Sequence, residues 1–262
     1  MANLNFSCVA CGKCCHDLRL PLTRNEAIDW IARGDTVELL CEALPWLEEP
    51  EPSNLHALHK RRRSFASMSG NLRIRVIVIL TAIYVGPCPN LDEDFRCRIY
   101  ATRPHVCRVY PAEINPLIAL APANKLCPPE AWVSSVPLVR DDQVVEPEAK
   151  LHIALSRDED EHEALFKQRL CAELGIGSAG LSNEGFAIHA PAAELLLKAL
   201  RNEARAEHQS NPSWTIVSNQ AATVDALRAA GADSALSSNT STGSSRYVGF
   251  RADAAVAGKA GS

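Results

Sequence analysis

Phe6-Ser7-Cys8-Val9-Ala10-Cys11-Gly12-Lys13-Cys14-Cys15-His16 puts four cysteines within eight residues. Thiolates two residues apart on a turn converge on one ion, because the backbone between them folds around it and turns its amides toward the sulfurs. Cys8-x2-Cys11-x2-Cys14 matches the first three positions of a bacterial ferredoxin run, whose fourth cysteine would fall where this chain has Leu18. A remote cysteine followed by proline must complete it. Cys88-Pro89 and Cys127-Pro128 both have that form, so the fold has to bring distant segments back to this knuckle.

Cys88, Cys97, Cys107 and Cys127 form a second, looser set, and Cys41 and Cys171 fall outside both. Those two read as packing residues, since cysteine is among the residues most often buried. Ten cysteines in 262 residues is well short of a disulfide-scaffold composition. The start Met1-Ala2-Asn3-Leu4-Asn5-Phe6-Ser7 has neither a basic cluster nor an apolar run, so no secretory signal is expected and the thiols should be reduced and cytoplasmic. The longest apolar run, Ile77 through Val85, is shorter than the roughly 20 residues that span a bilayer, so no membrane partner is expected.

The formal charge of -4 hides a split: residues 1–132 carry 15 Lys+Arg against 14 Asp+Glu, and the remainder carries 12 against 17. No nucleic-acid partner is indicated. Lys60-Arg61-Arg62-Arg63 is the one basic block, and it reads as a solvated loop.

Thr23-Arg24-Asn25-Glu26 is a capping box, which predicts a helix with Ala27, Ile28, Trp30 and Ile31 as its apolar stripe and Gly34 as its stop. Asp35 to Leu44 fits neither period and is open between strand and helix. Leu72 to Leu80 begins with strict alternation and is rich in β-branched residues; it predicts a strand that delivers the chain to Cys88. Between Cys88 and Cys97 a polar, hairpin-like tip is expected, with a short extended segment at Arg98-Ile99-Tyr100. Thr102 and Pro104 suit the start of a short helix carrying Cys107, closed by Pro111. Further on, helices are expected over Asp158 to Leu174 and Pro191 to His208, with a weaker one within Ser213 to Ala230.

The resulting fold class is α+β: a cysteine-rich metal-binding domain of short helices and few strands over 1–135, a helical extension over 136–230, and a Ser/Ala/Gly-rich disordered tail over 231–262. Eight candidate metal ligands follow: Cys8, Cys11, Cys14, Cys15, Cys88, Cys97, Cys107 and Cys127. The ferredoxin-like knuckle and the Cys-Pro pairs favour an Fe-S cluster over zinc, because structural zinc sites usually pair two knuckles and this chain has one. The Cys-x3-Cys-x2-Cys spacing of radical enzymes is absent. A thiol redox switch is the rival reading, since near-vicinal thiols oxidise to disulfides. Cys15, neighbour to Cys14, is the candidate for an exchangeable ligand. His16, His56, His59 and His105 read as surface or supporting groups, His105 first among them. Arg103 and Arg108 flank Cys107, where a cation offsets thiolate charge.

The blocks Cys8-x2-Cys11-Gly12-x-Cys14-Cys15, Gly86-Pro87-Cys88-Pro89-x-Leu91, and Cys97-x-Ile99-Tyr100-x2-Arg103-Pro104-x2-Cys107-Arg108-x-Tyr110-Pro111 resemble, in order, the YkgJ-type cysteine-cluster (CxxCxxCC) family over roughly residues 6 to 132. The resemblance implies a bacterial cytoplasmic protein that chelates iron or zinc through these cysteines, in a family often described as Fe-S oxidoreductases. A related branch contains flagellin lysine N-methylase, which implies S-adenosylmethionine as a co-substrate. This chain has no glycine-rich nucleotide loop after a strand.

Overall fold

The computed structural model describes residues 3–202, 213–239 and 244–250. In chain order, the first elements are β1 (Leu4–Asn5), β2 (Arg19–Leu22), α1 (Arg24–Ala32), β3 (Val37–Pro45), α2 (Leu55–Arg62), β4 (Phe65–Ser69), β5 (Leu72–Ile83), α3 (His105–Val109), β6 (Pro137–Arg140), β7 (Gln143–Val144) and α4 (Pro147–His162). They are followed by α5 (Ala164–Glu173), β8 (Ser178–Leu181), β9 (Gly185–His189), α6 (Ala193–Arg201), β10 (Thr215–Ser218), α7 (Ala221–Ala229), β11 (Ser234–Leu236) and β12 (Ser245–Gly249). The architecture is α+β. Two compact units are present, one of residues 1–37 and 80–162, the other of 38–79 and 163–262.

The first unit holds all eight clustered cysteines. Its α1 starts where the capping box predicts: Glu26 N donates to Thr23 Oγ1 and Thr23 N to Glu26 Oε2. Here β2 runs antiparallel to the end of β5, from Arg19 opposite Ile83 to Leu22 opposite Leu80. A separate three-stranded sheet has the order β1-β6-β7. Its core joins Val109 and Ala112 to Leu138 and Val139 of β6 and to Ala149 and Ile153 of α4. Each large aliphatic side chain so buried contributes about 1.5–3 kcal/mol. The Phe6 and Trp132 rings pack against this core with centroids 5.1 Å apart.

The second unit is built on a sheet in which β3, β8, β10 and β11 are mutually parallel neighbours, with β9 antiparallel to β3 and β4 antiparallel to β5. Cys41 on β3 and Cys171 on α5 are both buried here, in keeping with a packing role. Glu38, itself buried, holds Arg246 of β12 through two contacts, 2.9 and 2.7 Å.

Several sequence expectations are corrected. Asp35 to Leu44 resolves as strand β3, whose first five residues are all buried, so no alternation could show. Lys60-Arg61-Arg62 is helical rather than loop: Asn54 caps α2 at Ala57 N, and Arg61 reaches Glu49 at 2.6 Å. Tyr100–Thr102 is a 3-10 turn, not extended. Thr102 makes no cap for α3, whose N-cap position is Pro104.

The helix expected over Asp158 to Leu174 is two helices, α4 and α5, and the first begins earlier. Glu146 accepts from Ala149 N at 2.6 Å, with Pro147 in the first turn. Ser213 to Ala230 contains strand β10 before helix α7. Within the supposed tail, β11 lies beside β10, and β12 pairs with β9 over five residues. Residues 240–243 and 251–262 of that tail, and 203–208 of the helix expected to end at His208, lie outside the described residues.

Candidate metal centre

The knuckle turns at Gly12, whose φ of +68° suits glycine, and a Cβ there would meet the Phe95 ring at 2.8 Å. Phe95 belongs to the tip between Cys88 and Cys97. Lys13–Cys15 then forms one 3-10 turn, which places the Cys14 and Cys15 sulfurs 3.9 Å apart. His16 does not face a sulfur through Nδ1, which lies 3.0 Å from the Gly12 carbonyl oxygen.

The downstream cysteines return to this turn. Cys88 N donates to the Cys15 carbonyl at 2.7 Å, next to a bridge between His16 and Pro87. Leu91 N donates to the Cys88 carbonyl, and Leu91 is bridged to Cys97. Cys107 is carried by α3. On the other side, Ser7 N donates to the Ala131 carbonyl and Ala131 N to that of Pro128, which ties the chain beside Cys8 to the chain beside Cys127.

Electrostatics follow the same neighbourhoods. Burial pushes Cys107 up to about 12, and charge on Cys15, Cys88 and Cys97 adds to it, while Arg103 opposes. Cys88 is raised by burial and by Cys15 and Cys97, against the Asn90 amide and the Tyr84 hydroxyl, both of which bond its sulfur. Burial, Cys11 and Cys8 raise Cys127, and the Tyr110 hydroxyl bonds that sulfur in opposition. Cys14 and Cys15 share a proton. The hydrogen bond between them pushes Cys14 far up and brings Cys15 down to about 7, with His16 and Arg103 favouring charge on Cys15.

Arg103 and Arg108 divide the labour expected of both. Arg103 stacks on Tyr100, 3.9 Å from its ring centroid, and its charge acts on Cys15 and Cys107. Arg108 braces the turn: it donates to the Arg103 and Ala101 carbonyls and to Glu148 at 2.8 Å. His105 is likewise a brace. Its amide donates to Glu26 Oε1 at 2.6 Å, its Nε2 is 3.2 Å from Glu159, and its Nδ1 is 2.6 Å from Nδ1 of His152 on α4.

Tyr84 and Tyr110 are the residues that sequence reasoning missed. Burial raises both hydroxyls, Tyr110 to about 12, so each remains a donor beside its cysteine sulfur. Tyr110 Oη also accepts from Leu126 N at 3.0 Å. The closeness of Tyr84 to Cys88 could have hinted at the first, and the second stood in the block Cys107-Arg108-x-Tyr110-Pro111 without being given a role.

A metal fits this donor set in kind. Eight soft thiols are gathered in one unit, and at Cys14, Cys88, Cys107 and Cys127 burial and neighbouring sulfurs resist ionisation, a cost that a bound cation removes. The Nε of Arg103 is buried without a hydrogen-bond partner beside them. Among the described residues, no three His, Cys, Asp or Glu side chains are already arranged to hold an ion. The sulfurs are neighbours that a metal would have to draw together.

No curated protein and no solved structure matches the chain. Residues 7–128 do match a family model, CxxCxxCC, described as "Putative zinc- or iron-chelating domain". The matched span contains the knuckle and all four downstream cysteines, and the likeness to the CxxCxxCC family is confined to this segment, residues 7–128.

Proposed function

We propose that the protein binds an iron-sulfur cluster through its clustered cysteines, with Cys8, Cys11, Cys14 and Cys127 as the ferredoxin-like set. The observation that carries this reading is the environment of Cys127: the knuckle cysteines Cys8 and Cys11 act on it, and Pro128 follows it, as proline follows the fourth cysteine of a ferredoxin run. Bound there, a cluster would supply one-electron chemistry. The chain's own residues would tune it. Tyr110 donates to the Cys127 sulfur, which withdraws charge from a ligand, and Lys125 supplies cationic compensation. An electron-carrier role is the simplest form of the oxidoreductase expectation, in a reduced, cytoplasmic setting. Among the described residues, no helix is long and apolar enough to cross a membrane.

The test is anaerobic purification of the full chain, followed by its absorption spectrum and assay of iron, zinc and acid-labile sulfide. A brown protein with iron and sulfide in equal amounts is expected. A colourless protein with stoichiometric zinc would defeat the cluster and leave chelation standing. The same sample titrated with S-adenosylmethionine, read by thermal shift, checks the methylase alternative.

A further inference from the structure

We propose that the eight cysteines form two four-sulfur centres, Cys8, Cys11, Cys14 and Cys127 in one and Cys15, Cys88, Cys97 and Cys107 in the other, each served by one tyrosine. This rests on the chelation reading above and extends it to the number and membership of the sites.

The backbone makes the division. A continuous run of hydrogen bonds and bridges links Cys15 to Cys88, Cys88 to Leu91, and Leu91 to Cys97. Tyr100 N then donates to the Cys97 carbonyl, and the stacked Arg103 leads into Pro104, whose carbonyl accepts from Cys107 N. None of these bonds includes Cys8, Cys11 or Cys127. Cys8 and Cys127 lie beside the other run, where Ser7 meets Ala131, Ala131 meets Pro128, and Leu126 meets the Tyr110 hydroxyl.

Cys14 and Cys15 are adjacent, but a 3-10 turn rotates successive side chains by roughly a third of a turn. Their sulfurs, 3.9 Å apart, lie where two thiolates can share one ion or join two, so the backbone runs and not this pair divide the sets. The phenols repeat the pattern: Tyr84 bonds Cys88 in one set, and Tyr110 bonds Cys127 in the other.

The experiment loads the metal-free full chain with zinc, removes loosely held ion by gel filtration, and measures zinc per chain. Two per chain is expected in the wild type, falling to one in Cys127→Ser and to one in Cys97→Ser. Cys11→Ser and Cys107→Ser repeat the comparison, and only variants whose far-ultraviolet circular dichroism matches the wild type are counted. Cobalt(II) gives a second readout. Tyr110→Phe should shift the thiolate charge-transfer band in Cys97→Ser protein and leave it unmoved in Cys127→Ser protein, with Tyr84→Phe doing the reverse. One zinc per chain, any count above two, or loss of all zinc in both single variants overturns the two-centre proposal and leaves chelation intact. A wild type that retains no metal overturns chelation itself.

Discussion

Glu26→Ala is expected to destabilise the metal-free protein by about 3 kcal/mol, more than its place in an ordinary capping box would explain. Both carboxylate oxygens accept from backbone amides: Oε2 from Thr23 N at 2.9 Å, and Oε1 from His105 N at 2.6 Å, at the start of the helix that carries Cys107. Loss of the reciprocal cap costs about 1 kcal/mol. A hydrogen bond to a charged group contributes about 1.5–3 kcal/mol, and the lower half of that range applies because the Glu26 side chain is 18% exposed. The sum corresponds to a melting temperature lower by roughly 6–12 °C. Glu26→Gln should restore little, because an amide accepts at one end only and would turn its own donor toward the second N–H. Thr23→Ala, which leaves the His105 contact untouched, is the control at about 1 kcal/mol. Urea denaturation of the three variants measures these differences. If Glu26→Ala costs no more than Thr23→Ala, the long-range contact contributes nothing and the reasoning fails.

Further outcomes follow from the electrostatics. In metal-free protein, Cys15 should alkylate with a half-maximal rate near pH 7, while Cys107, pushed up to about 12, stays inert. Arg103→Gln should move the Cys15 midpoint upward; peptide mapping that finds Cys107 modified first would contradict this. His152 is held below its ordinary 6.5 by burial and by the charges of His105, Arg108 and Arg103, against Glu148. The folded state therefore binds fewer protons than the unfolded one just below 6.5. This contribution to stability is whole above about 6.5 and is lost as the pH falls, and His152→Gln should flatten that part of the stability profile. Arg246→Ala should destabilise by about 2 kcal/mol, because it strands the buried Glu38, whereas Glu38→Ala should cost less, since Arg246 is 41% exposed and water can take it up. Equal costs in thermal unfolding would refute the asymmetry.

Local signals in the sequence were readable because they report local physics. The Thr23–Glu26 box and the alternation from Leu72 both describe bonds or faces fixed within a few residues. The second oxygen of Glu26 was not readable, since its partner lies 79 positions away. The Ser-rich stretch near residue 245 was misjudged for a related reason. Composition reports how much a segment can bury alone, while β12 is ordered by pairing with β9 and by Arg246 on Glu38. For the candidate centre, spacing named the eight cysteines and the need for a remote Cys-Pro. It could not choose between Cys88 and Cys127, or find the two tyrosines, because those depend on which backbone run returns to which side of the knuckle.

Of the eight clustered thiols, Cys8 is the exposed one and the rest are partly covered. A ligand set with a single member facing solvent has a door. Small competing thiols or a donor protein would reach Cys8 before any other sulfur, so exchange of the first centre's metal would begin and end there. Cys8→Ser should therefore cost the first centre its metal, as Cys11→Ser does, while the second centre keeps its ion.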